Sequence, residues 1–127
     1  MDNEDVELIA HLMRRASFGA RRDEIEAYAA KGYEATVEEL LTPVDSQWLG
    51  DDMVRRFDNE ASGMINPPGS ARNWVYRMIS TDAPLQEKIA LFWHGIFATG
   101  VQKVINGRVL SDQIGMFRRH GTDRFDA

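Results

Sequence analysis

The stretch from Pro84 to Gly100, PLQEKIALFWHGIFATG, has no internal proline and carries more large apolar residues per turn than any other window of the chain. At a helical spacing of about 100° per residue, Leu85, Ile89, Phe92 and Ile96 share one narrow face, and Ala90, Trp93 and Phe97 form a second face beside it. Gln86, Glu87, Lys88 and His94 alone interrupt the apolar surface. A helix that is apolar on two adjoining faces has to be covered by at least two other elements. The pattern therefore predicts a central helix over residues 84–98, with Glu87 and His94 two turns apart on its remaining side.

The rest of the chain reads as shorter helices. Asn3 or Asp5 caps the first, whose acidic opening turn suits the helix dipole, and Val6, Ile9, Met13 and Ala16 form its apolar stripe. His11 falls on the other side, four residues after Glu7. A Glu and a His at that spacing could both reach a metal, but no third ligand accompanies them, so a solvated polar face is the reading. Ser17-Phe18-Gly19 breaks this helix. Residues 22–31 make a second helix stopped by a left-handed Gly32, and Tyr33, Val37, Leu40 and Leu41 repeat the spacing in a third that ends at Thr42-Pro43. Phe18 and Tyr33 are expected to pack at the corners.

Met53, Val54, Phe57 and Ala61 are spaced for a fourth helix starting near Asp51 or Asp52, while Trp48 stands alone. Gly63 to Gly69 reads as a loop. Ser70 is expected to cap a fifth helix carrying Trp74, Val75, Met78 and Ile79, which turns through Thr81-Asp82-Ala83-Pro84 into the central helix. Trp74 and Trp93 are expected in the core these two helices share. After Gly100, Asn106-Gly107 between β-branched residues offers a hairpin, but a lone two-stranded ribbon is marginal, so a loop is expected. A last helix runs from Arg108 or Ser111 to His120, with Gly121 as its stop.

These elements define an all-α chain, an irregular multi-helix bundle of about six to seven helices around the central one. Residues 1–127 form a single helical domain. The final residues, TDRFDA, look like a cap and first turn of a further helix, and one turn cannot stabilise itself. We therefore expect an N-terminal fragment of a longer protein. Apolar surface left uncovered would then favour self-association or a protein partner.

A net charge of −5 argues against a nucleic-acid module. The absence of cysteine removes disulfides, thiolate metal sites and a cysteine nucleophile together. An acidic N-terminus is unlike a secretory signal, and no stretch approaches the ~20 apolar residues of a membrane span. The chain as it stands reads as cytoplasmic.

Several blocks carry a family resemblance. HLMRRASFG at 11–19, Gly32-Tyr33 with Val37 and Leu40-Leu41, WVYRM at 74–78, FRRH at 117–120 and above all PLQEKIALFWH at 84–94 resemble the bacterial domain of unknown function 1800 family. The resemblance implies a largely helical protein of uncharacterised activity. Members of that family are longer and continue into an Asn-rich, Glu-Leu-Leu-containing region absent here. They also commonly carry His-x-His-Phe where this chain has His94-Gly95-Ile96-Phe97. Ile96 removes the second imidazole and weakens any metal or haem reading built on that pair.

Two functions follow from these residues. One is a metal- or cofactor-dependent enzyme in which His94 supplies a functional imidazole and Glu87 orients it, with the site completed downstream of this chain. The cofactor is left unspecified, and no glycine-rich phosphate loop, His-Glu-x-x-His pattern or nucleophile elbow is present. The other is a non-catalytic binding or assembly module. Arg118, Arg119 and His120 could hold an acidic partner, although cations at a helix C-terminus are also what the dipole favours. Arg14, Arg15, Arg21 and Arg22 could bind an anion, with Glu and Asp alongside to neutralise them.

Overall fold

The computed structural model describes residues 3–42, 67–100, 102–104 and 106–124. Among these are six helices, α1 (Asn3–Ala16), α2 (Arg22–Lys31), α3 (Tyr33–Leu41), α4 (Pro67–Ser80), α5 (Pro84–Ile96) and α6 (Gly107–His120), and no strand. The fold is all-α. No helix is long and apolar enough to cross a membrane among the described residues. The helix expected near residues 51–61, Trp48 and the Gly63–Asn66 part of the expected loop lie outside the described residues.

The stripe on α1 packs as its spacing requires, with Ile9, Met13 and Ala16 buried and His11 exposed. Where α1 ends, the buried Ser17 hydroxyl donates back to the Met13 carbonyl at 2.6 Å. Gly32 ends α2 and opens α3 with φ +98°, a conformation that side chains with a Cβ rarely adopt, and its N–H donates to Tyr28 O at 3.0 Å. Its ψ of 155° places it outside the left-handed helical well expected of a stop. The fully buried Thr36 closes the same corner by donating its hydroxyl to Gly32 O at 2.8 Å.

Helix α4 starts at Pro67, inside the segment expected to be a loop and ahead of the expected cap at Ser70. Prolines are tolerated in a first turn because the N–H they lack has no intrahelical acceptor there. Between α5 and α6 the chain turns at Gly100, whose carbonyl accepts from the Lys103 and Val104 N–H groups at 2.9 and 3.2 Å. This is the loop reading rather than the hairpin, and Gly107 opens α6 instead of closing a two-residue turn.

Helix α5 is the centre of the arrangement, packed against α1, α3, α4 and α6. Its faces are not distributed as the spacing suggested. The buried positions are Glu87 and Ala90, whereas Phe92 and Ile96 from the expected core stripe are 57% and 55% exposed. The reversal has a polar cause, because the groove between α4 and α6 is lined by arginines that match Glu87. The tryptophans also divide. Trp74 packs in the α4–α5 seam against His94, while Trp93 stacks on Phe97 in the seam with α6.

The end of α6 rests directly on α5. The Trp93 indole N–H donates to Gly121 O at 2.8 Å, and Gly121 N–H donates to Phe117 O at 2.8 Å. A Cβ on Gly121 would lie 2.4 Å from Phe117 O, 2.6 Å from Ile89 Cγ2 and 2.9 Å from Trp93 Cδ1. Gly121→Ala is therefore expected to lower stability by about 1–3 kcal/mol, the range for forced shifts in a packed region. Urea unfolding followed by tryptophan fluorescence measures it; an unchanged midpoint would contradict this contact.

Candidate functional site

The two residues singled out on the central helix, Glu87 and His94, both touch Trp74 and otherwise differ sharply. Glu87 enters a groove flanked by α4 and α6 and is 1% exposed. An ionised carboxylate that deep is tolerated only when its oxygens are saturated by donors. Here they are. Arg77 Nε from α4 donates to Oε1 at 2.6 Å, and Trp74 Nε1 donates to Oε2 at 3.0 Å. Arg118 from α6 spans the carboxylate, with Nη2 donating to Oε2 at 3.0 Å and Nε bonded to Oε1. Two guanidiniums and an indole from two neighbouring helices thus converge on one side chain of a third.

The helical spacing that makes this possible is simple. Trp74 and Arg77 lie three residues apart on α4 and so share a face. Arg118 follows the buried Phe117 on α6, which turns its side chain toward the same groove. Sequence reasoning placed Arg118 with Arg119 and His120 as a complement to the helix dipole or a clamp for an acidic partner. The structure corrects this for Arg118, whose partner is internal. His120 bonds instead to Asp123, Nδ1 to Oδ2 at 2.8 Å.

Burial by itself pushes the Glu87 carboxyl upward, but the bonds and charges of Arg118 and then Arg77 outweigh it and hold the group below its ordinary value. Glu87, expected to orient His94, bonds to other side chains here. Its described bonds go to Trp74, Arg77 and Arg118, and the buried His94 Nδ1 has no hydrogen-bond partner among the described residues. What lies against His94 is Trp74, edge to face at 5.2 Å and 87°. The arrangement orients an indole, and the imidazole packs on that indole.

The other candidate residues stay apart. His11 is exposed on α1, and Glu7 there accepts a bond from Asn3 Nδ2 at 2.9 Å. Arg21 pairs with Asp23 at 3.0 Å and Arg22 with Glu26 at 2.8 Å, so acidic neighbours neutralise these two as expected. Among the described residues no three His, Cys, Asp or Glu side chains gather as a metal site would require. Near the corner after α1, Lys88 Nζ donates to Ser17 O at 3.0 Å and lies 5.1 Å from the centre of the Phe18 ring. That pair of contacts ties α5 to the first half of the chain, with Phe18 half-open to solvent rather than packed away in the corner.

Because the folded-state carboxyl of Glu87 is depressed, its contribution to stability is complete above the ordinary carboxylate range and is lost as pH falls through the lower folded value. Glu87→Gln is expected to cost about 3 kcal/mol at neutral pH, by leaving two guanidiniums facing a neutral amide. Urea midpoints measured from neutral to acidic pH should fall in wild type and stay flatter in the variant. Parallel curves would contradict the assignment of the acid sensitivity to this group.

Comparison with protein families matches residues 11–127 to "Protein of unknown function (DUF1800)", which covers most of the chain, and the chain belongs to that family. Comparison with curated proteins and with solved structures returns no significant match.

Proposed function

We propose that this member of the DUF1800 family is a non-catalytic assembly module, which docks the apolar helix faces of α4 and α5 against the same faces of a second copy. The observation that carries the reading is the outward placement of large apolar side chains at helical spacing. On α4, Val75, Tyr76 and Ile79 are exposed, Ile79 at 78%, and on α5 so are Phe92 and Ile96. Single exposed apolar residues are ordinary on a soluble surface. Sets repeated at i, i+3 and i+4 on two packed helices are what a partner helix reads.

The buried polar residues support the same reading. Glu87 is held by Trp74, Arg77 and Arg118 and links α4 and α6 to α5. A metal- or cofactor-dependent enzyme is a second reading, favoured by one observation, the buried His94 Nδ1 without a hydrogen-bond partner among the described residues. Stoichiometric metal or chromophore in the purified protein, lost in His94→Ala with the fold retained, would move the assignment to that reading.

The assembly reading is tested by light scattering over a concentration series. Wild type is expected to associate, and the double variant Ile79→Ser with Phe92→Ser to remain monomeric with an unchanged far-UV spectrum. A wild-type chain that stays monomeric at the highest concentration would overturn docking through a like surface.

A further inference from the structure

On the α6 side of the central helix the C-terminal turns of α5 and α6 enclose a cleft of about 680 Å³, within the size range of small-molecule sites. Its wall is aromatic. Trp93 and Phe97 lie 5.7 Å apart with ring planes 20° from parallel, and Phe97 and Phe117 lie 6.1 Å apart at 26°. Met116 adds a deformable edge. The Trp93 N–H is already committed to Gly121 O, so the indole offers the cleft only apolar surface. Such a wall suits a flat aromatic ring.

The rim supplies a polar handle of one kind. His120 and Asp123 both line the cleft and bond to each other, Nδ1 to Oδ2 at 2.8 Å. The bond to Asp123 engages Nδ1 and leaves Nε2 as the remaining polar atom of the ring. The contact is exposed and contributes little to stability. It orients the imidazole beside an aromatic wall. Arg124 lines the same rim as Asp123, so the rim carries both signs of charge. The complementary ligand is a flat ring carrying one hydroxyl.

We propose that this cleft binds a phenol, its ring against Trp93, Phe97 and Phe117 and its hydroxyl, able both to donate and to accept, hydrogen-bonded to His120 Nε2. The test titrates 2-naphthol, and 2-methylnaphthalene as the analogue without a hydroxyl, into the ¹⁵N-labelled full chain while following the indole N–H signals of its three tryptophans. The expected result is a saturable shift of the Trp93 signal with Trp74 unmoved, and tighter binding of 2-naphthol than of 2-methylnaphthalene. His120→Ala is expected to weaken 2-naphthol about fivefold, the equivalent of one hydrogen bond, and to leave 2-methylnaphthalene unchanged. Phe97→Ala should weaken both. Because His120 is exposed, its substitution leaves the core intact, and His120→Phe serves as a second variant that keeps a ring and removes its nitrogens. Non-saturable shifts spread over all three indoles, or equal binding of the two probes by wild type, would overturn the proposal.

Discussion

A single carboxylate determines how the second half of this chain is put together. Glu87 lies in a position that water cannot reach, and an ion there is stable only because donors from both flanking helices meet it. Arg77 and Trp74 belong to α4, Arg118 to α6, and the acceptor to α5. None of these bonds is local in sequence, so each one reports that three helices have docked in the correct relative rotation. A polar contact of this sort adds less net stability than apolar residues of equal volume would. It does specify which packing is allowed, since every alternative leaves a charge buried and unmatched.

The broad plan could be read from periodicity because it rests on short-range signals. The stripe of Ile9, Met13 and Ala16 follows helical spacing, Gly32 marks a corner that needs positive φ, and Pro84 suits a first turn. The family blocks carried the rest, since their order along the chain matches over nearly its whole length. The start of α4 was misplaced because Pro67 and Pro68 were read as loop punctuation, whereas proline is equally at home in the opening turn of a helix.

The interior of the site was not legible for a different reason. Hydrophobic spacing ranks Phe92 and Ile96 above Glu87 for burial, and it contains no information about which side chains arrive from other helices. One signal was available, the placement of an acid within a helix otherwise bounded by Leu85, Ile89, Ala90 and Leu91. Arg77 and Arg118, in separate helices, were the cations able to answer it. Arg118 was assigned instead to the helix dipole because it sits in a run with Arg119 and His120. His94 packs on Trp74 across the seam rather than on Trp93 beside it in sequence, a contact that helical spacing does not encode.

The two seams flanking α5 are consequently different mechanical joints. Toward α4 the joint is made of directional bonds to a fixed pair of oxygens, and a slip of one residue along the axis would break all of them together. Toward α6 the ring of Phe97, backed by Trp93 on its own helix, meets Phe117, and stacked faces change little in energy over small lateral displacements. Arg118 and the Trp93–Gly121 bond anchor α6 at its C-terminal end. Motion of α6 should therefore pivot about that end, with its N-terminal end sweeping the widest arc.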